Sequence, residues 1–171
     1  IPGSRTCAIE FSSLSKTAGF TCVRSGYTVI PEELVRDGVK LLRLWQQRQT
    51  TKYNGAPYMT QRGLEATLSE EGIKEADKNI AYYKRNVKLI TDVLEKKNIY
   101  YTGGHNSPYI WLECPKHMNS WEFFDYLLNN VYVVGTPGVG FGKYGEGYFR
   151  LTTFNTYEAT KEAMERIRHI L

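Results

Sequence analysis

Between Glu70 and Lys97 the apolar residues Ile73, Ala76, Ile80, Tyr83, Val87, Ile90 and Leu94 recur at alternating steps of three and four, the spacing that lines one face of an α-helix. Ser69-Glu70-Glu71 supplies a start signal, with acids in the first turn. At about 1.5 Å per residue, a helix over this span is roughly 40 Å long. That is more than one compact domain of a 171-residue chain needs, so the helix is expected to bridge two bodies. A coiled coil is the weaker reading, because the positions flanking the stripe carry no consistent charge pairs. The basic run Lys84-Arg85-Asn86-Val87-Lys88 falls inside the helix, interrupted by apolar residues. It reads as a solvated helix face, not as a nucleic-acid contact.

The segments on either side differ. Thr6 to Phe11 reads as a buried strand and Phe20 to Ile30 as a second extended run. Pro31-Glu32-Glu33 is expected to open a helix carrying Leu34, Leu41, Leu42 and Trp45 and ending near Thr50. Tyr53 to Pro57 is a loop, followed by a short helix from Tyr58 to Leu68. Beyond the long helix the pattern becomes α+β. Strands are expected at Tyr109–Leu112, Val131–Val134 and Tyr148–Phe154, and helices at Ser120–Asn129, capped by Ser120, and at Thr156–Leu171. With 42% hydrophobic residues the chain can bury a core. The sequence opens without methionine and runs within a few residues into a strand-like stretch, so we expect it to be part of a longer protein.

Composition removes several function classes. The 22 Lys and Arg against 18 Asp and Glu leave a net charge of +4 with no block of one sign, so nucleic acid is not an expected partner. Cys7, Cys22 and Cys114 stand at unrelated spacings, as do His105, His117 and His169, and neither a disulfide framework nor a metal site is expected. No apolar run approaches the roughly 20 residues of a membrane span, and a cytoplasmic protein is the expectation.

The most informative stretch is Ser12-Ser13-Leu14-Ser15-Lys16-Thr17-Ala18-Gly19-Phe20, with Arg24 shortly after it. Its surroundings are small, hydroxylated or apolar, and the two cations stand close in sequence. A lysine becomes a nucleophile when it is partly desolvated or lies near other positive charge. Ser13, Ser15 and Arg24 offer hydroxyls and a planar guanidinium, the donors that a phosphate monoester requires. A phosphate beside an amine points to pyridoxal phosphate, whose aldehyde condenses with a lysine while its phosphate anchors the other end. For an isolated lysine, a surface turn would be the ordinary reading.

Ser13-Leu14-Ser15-Lys16, with Gly19-Phe20 and Val23-Arg24, resembles the cofactor-attachment motif of class I and II aminotransferases, the fold-type-I pyridoxal phosphate enzymes. Further matches run along the chain at Tyr53-Asn54-Gly55-Ala56, Gly103 to Trp111, Thr136-Pro137-Gly138, Gly140-Phe141-Gly142 and Gly145 to Arg150. Together they are most similar to the LL-diaminopimelate aminotransferase family. The resemblance implies an α/β, aspartate-aminotransferase-like fold: the end of the large cofactor-binding domain over 1–68, a bridging helix over 69–97 and an α+β small domain over 98–171. It also implies roles. Lys16 would be the Schiff-base lysine and proton carrier, Ser13 and Arg24 would bind phosphate, and Asn54 would reach the site of the other subunit of a homodimer. Arg150 would clamp the carboxylate of amino-acid and 2-oxo-acid substrates. The reaction implied is amino transfer between glutamate and the tetrahydrodipicolinate/LL-diaminopimelate pair in lysine biosynthesis. Cys22 and Ser25 depart from the family motif. By the same resemblance the acid that pairs the pyridine nitrogen and the ring that stacks on it lie upstream of residue 1, so this chain alone is expected to be inactive. An aromatic or alanine-type aminotransferase, or a non-catalytic fragment or degenerate relative, are the alternatives.

Gly140-Phe141-Gly142-Lys143-Tyr144-Gly145 also matches a dinucleotide-loop pattern. Such a loop lies between a strand and a helix, whereas here a strand pattern follows. A glycine-rich bend ahead of a strand that presents Arg150 is the simpler reading.

Overall fold

A computed structural model describes all residues, 1–171. The chain divides into two compact units, Ile1–Asn79 and Ile80–Leu171. The division falls within the long helix, which runs unbroken over Glu70–Lys96.

In the first unit, β1 (Glu10–Ser13) leads directly into the single turn α1 (Leu14–Thr17), and β2 (Gly26–Val29) returns antiparallel to β1 with Ser13 opposite Gly26. The strand expected from Thr6 starts later because Thr6 and Cys7 bond back to Gly3 and Ser4 in a 3₁₀ turn. It is also largely exposed, since β1 pairs with β2 alone. Of the expected extended run from Phe20, only Gly26–Val29 is a strand. Its first half is turn, with the Arg24 amide bonded to the Phe20 carbonyl.

The helix expected at Pro31 is absent. Leu34 N–H closes a turn onto Pro31, and β3 (Val35–Arg36) and β4 (Val39–Lys40) form a hairpin around Asp37-Gly38, both residues left-handed with φ 50° and 75°. Asp-Gly favours the two-residue hairpin turn, and this local signal overrides Pro-Glu-Glu. α2 therefore starts at Leu41 and continues to Lys52, and α3 covers Tyr58–Thr67. Few side chains of this unit are buried, chiefly Leu14, Ile30, Leu34 and Ala76, while Phe11, Val29, Leu44, Met59 and Ile73 are exposed.

The second unit has a true core. β5 (Tyr101–Gly103), β6 (Tyr109–Glu113), β7 (Thr136–Pro137) and β8 (Tyr148–Thr152) form an antiparallel sheet in the order β5-β6-β8-β7. Strand alternation sends Ile110 and Leu112 of β6 and Phe149 and Leu151 of β8 into the core, where Ile90, Leu94, Phe123, Leu127, Met164 and Ile167 meet them. These last come from the long helix α4 (Glu70–Lys96), from α5 (Ser120–Val131) and from α6 (Tyr157–Ile170). The intervening residues Tyr109, Trp111, Tyr148 and Arg150 share the other face of the sheet and are half-buried.

Two expectations change here. α5 is capped by Asn119, whose side chain accepts from Trp121 and Glu122 while Glu122 returns a bond to the Asn119 amide, a reciprocal capping box. Ser120 is instead fully buried, its hydroxyl on the Tyr148 carbonyl at 3.0 Å. The strand expected at Val131–Val134 is the end of α5, closed by Tyr132 at φ 54° with its amide on Leu128 and that of Val133 on Leu127. No helix is long and apolar enough to cross a membrane.

Candidate active site

The polypeptide around Lys16 is tied into a knot about buried Leu14. Leu14 N–H donates to Ser25, and the Ala18 and Phe20 amides both donate to the Leu14 carbonyl. The Thr21 hydroxyl reaches the Ser15 carbonyl at 2.9 Å. This closure brings residues nine apart together: Arg24 Nη1 lies 3.0 Å from the Thr21 carbonyl and 3.5 Å from Ser15 Oγ. Ser13 caps α1, its hydroxyl accepting from the Ser15 amide at 3.3 Å. Ser13, Ser15 and Arg24 thus form one patch of donors at the start of the turn that carries Lys16. Arg24 occupies this position at φ 60°, a conformation that costs a non-glycine residue roughly 1–2 kcal/mol.

Gly26 follows, where a Cβ would meet the Ser12 carbonyl at 2.5 Å. The close pairing of β1 and β2 at the mouth of the patch therefore depends on this glycine. Lys16 itself is exposed, so the burial expected around it does not come from its sequence neighbours.

Asn54 lies in the loop between α2 and α3. Gly55 at φ 102° turns that loop, and Gln61 Nε2 holds it at the Ala56 carbonyl, 2.6 Å away. Arg24, Tyr27, Tyr53, Asn54, Gln61 and Arg62 help line one open concavity of about 780 Å³. The structure thus brings Asn54 and Arg24 to one cavity within a single chain. Gln61 was not visible as a site residue in the sequence, because its role is a bond to backbone five residues away.

In the second unit Arg150 projects from β8, opposite Trp111 on β6 and Thr136 on β7. Its guanidinium carbon is 4.5 Å from the centre of the Tyr109 ring and 4.6 Å from that of Phe141. Nη2 approaches Thr136 Oγ1 at 3.5 Å, and Nε is enclosed without an acceptor. The glycine-rich segment before β8 forms two successive 3₁₀ turns, Gly138–Phe141 and Lys143–Gly145. At Gly138 and Gly145 each backbone lies where the other's Cβ would be, so only glycines allow the bend that presents Phe141. Below it, Glu146 accepts from the Ser120 and Gly147 amides at 2.7 and 2.9 Å. These backbone donors hold its carboxyl below the usual carboxylate range. Cys114 is buried and its thiol is pushed up to about 12, by desolvation first and by Glu146 and Glu113 second. No three or more His, Cys, Asp or Glu residues converge in a way that could hold a metal ion.

The family described as aminotransferase class I and II matches residues 4–167. The chain belongs to this family. An LL-diaminopimelate aminotransferase of Lachnospira eligens is 57% identical over 97% of the chain, and one of Agathobacter rectalis is 54% identical over the same share; in each case 41% of the relative is covered. A solved L,L-diaminopimelate aminotransferase from Chlamydomonas reinhardtii superposes with a TM-score of 0.88 at 38% identity, covering 99% of this chain and 42% of that one. The fold is accordingly the mixed α/β, aspartate-aminotransferase-like fold. The chain spans about two fifths of the length of the curated relatives that it matches.

Proposed function

We propose that this chain is part of a pyridoxal phosphate-dependent LL-diaminopimelate aminotransferase. The observation that carries the reading is the 57% identity to such an enzyme across nearly the whole chain, joined to a lysine beside a serine–serine–arginine donor patch. The donor set fits the cofactor: an arginine and two hydroxyls suit a phosphate monoester, and the adjacent amine suits an aldehyde. When bound, pyridoxal phosphate supplies an electron-withdrawing ring that stabilises negative charge at a substrate α-carbon.

The chain's own residues have distinct tasks. Ser13, Ser15 and Arg24 bind the phosphate. Lys16 Nζ holds the cofactor at rest and, once released, moves a proton at the substrate α-carbon. Arg150 orients the substrate α-carboxylate, which a bidentate guanidinium does and an ammonium does not. By the family resemblance Asn54 reaches the site of a second subunit in a homodimer, although within this chain it lines the same concavity as Arg24. Residues 1–68 form the end of the large domain, 69–97 the bridge and 98–171 the small domain. The sparse burial in the first unit, with Phe11, Val29, Leu44 and Met59 exposed, supports a site completed by further sequence, so the chain alone is inactive. Amino transfer between glutamate and the tetrahydrodipicolinate/LL-diaminopimelate pair belongs to lysine biosynthesis in the cytoplasm.

The test uses the full-length protein with pyridoxal phosphate. Borohydride reduction followed by peptide mapping is expected to mark Lys16, and LL-diaminopimelate with 2-oxoglutarate to be turned over. Labelling at Lys16 with turnover of aromatic or alanine-type donors only would overturn the substrate; absence of label at Lys16 would overturn the cofactor site.

A further inference from the structure

We propose that Phe141 and Tyr109 are positioning residues for Arg150, holding its guanidinium by their ring faces so that its N–H donors stay available to a substrate carboxylate. The inference rests on the reading of Arg150 as the carboxylate site and adds the means by which that arginine is kept both fixed and unsaturated.

An arginine is usually immobilised by an acid, which occupies the same donors that a substrate would need. Arg150 forms no such ion pair. Its partners are instead two rings at 4.5 and 4.6 Å from the guanidinium carbon, contributed by β6 and by the turn before β8. Ring faces attract the cation through their quadrupole and consume no N–H group. The polar contact that remains is the long one to Thr136 Oγ1 at 3.5 Å, and Nε is left enclosed and without an acceptor. A buried donor in that condition is costly, and because Nε is enclosed an arriving carboxylate would be met by the Nη groups.

The second ring is itself braced. Trp111, the cross-strand partner of Arg150, meets Phe141 edge-on at 5.5 Å and stacks on Tyr148 at 5.8 Å. Phe141 nevertheless remains 54% exposed. An aromatic side chain that contributes so little to the core, yet is held by a bend requiring close-packed Gly138 and Gly145, is placed for its contact with Arg150.

The experiment compares full-length Phe141→Leu, Phe141→Tyr and Arg150→Lys with the wild type. It reads kcat and KM for the amino donor and for the oxo acid, and the inhibition constant of glutarate, which binds without turnover. Phe141→Leu keeps apolar volume but removes the ring face. The expected result is a roughly tenfold rise in both KM values and in the glutarate constant, the scale of a partly desolvated cation–π contact, with kcat little changed. Phe141→Tyr restores the wild-type constants. The partial exposure of Phe141 means that neither change should prevent folding, and a matched thermal transition checks this. If Phe141→Leu binds like the wild type while Arg150→Lys is impaired, the aromatic positioning is refuted and the carboxylate role of Arg150 stands. If Arg150→Lys also binds like the wild type, the carboxylate reading falls with it.

Discussion

Asn86 is the residue whose removal tests the packing argument most directly. It sits fully buried on α4, and its amide nitrogen donates to the Thr153 and Asn155 carbonyls at 2.9 and 2.8 Å. These carbonyls belong to the segment that leaves β8 just after Arg150 and leads to the Thr156 cap of α6. Asn86→Leu strips both bonds. Thr153 is itself buried, and a carbonyl left dry costs about 1–3 kcal/mol, whereas the more exposed Asn155 can turn to water at little cost. The wild type already carries one buried orphan, Asn86 Oδ1, and leucine removes it. The two buried-group terms are of the same size and opposite sign, so the net expectation for Asn86→Leu is a change within about 1 kcal/mol. Asn86→Asp is more severe at neutral pH, about 4 kcal/mol, because an acceptor now faces two acceptors and a charge is buried without a partner. Burial raises that carboxyl's folded value above its unfolded one, so its penalty is fully present above both and shrinks as pH falls and a donating O–H appears. Urea unfolding of the full-length protein at neutral and mildly acid pH reads both effects. An Asn86→Asp protein as stable as wild type at neutral pH, or an Asn86→Asp deficit that does not narrow with acid, refutes the assignment of these bonds.

Three further outcomes follow from geometry already described. Glu146 has a folded value below the usual carboxylate range, so its contribution is fully present at neutral pH and is lost as pH falls through the lowered folded value; Glu146→Gln should reduce stability at neutral pH and converge with wild type in acid, flattening the acid limb of the urea-stability profile. Cys114, buried with its thiol pushed up to about 12, should resist iodoacetamide in the native protein at mildly alkaline pH and react after unfolding, as peptide mapping would show. Arg24→Gly removes a left-handed residue along with its 3.0 Å bond to Thr21, two effects of about 1 kcal/mol each and opposite sign; urea stability should change little while retention of pyridoxal phosphate falls by at least tenfold, and equal retention would remove Arg24 from the phosphate site.

What was legible in the sequence tracks how local its physics is. The helix over Glu70–Lys96 announced itself because seven apolar residues keep one period, and Asn54-Gly55 announced a turn. The nearness of Arg24 to Ser15, and of Ser15 to Ser13, was readable because a few residues of closed turn separate them. The hairpin at Asp37-Gly38 is equally local, but Pro31-Glu32-Glu33 carries a competing helix-start signal, and the two-residue turn wins. The α5 cap lies one residue before the expected Ser120, at Asn119, because the Asn119 amide donates to Glu122 in the reciprocal box. The partners of Arg150 were not readable at all. Tyr109 and Phe141 lie 41 and 9 residues away from it, and only sheet register and the glycine bend bring them together. The exposure of β1 was likewise invisible, because an alternating pattern says which residues can be covered and not what covers them.

Backbone strain separates the structural turns from the site. Asp37 takes its left-handed φ to close a hairpin, Asn98 and Tyr132 take theirs where a helix ends, with the Ile99 amide on Leu94 and the Val133 amide on Leu127, and Lys116 and His117 take theirs in a turn closed by the Met118 amide on Pro115. In each case backbone hydrogen bonding offsets the strain, as glycine or asparagine does at such positions elsewhere. Arg24 is different. Its amide does bond to Phe20, but glycine would keep that bond without the strain, and what arginine adds is a side chain bridging the Thr21 carbonyl and the Ser15 hydroxyl on an exposed surface. Contacts of that kind contribute about 1 kcal/mol, which does no more than offset the strain. Strain retained for a guanidinium of no net structural gain is the pattern expected where backbone geometry serves a ligand, which supports the phosphate role proposed for Arg24.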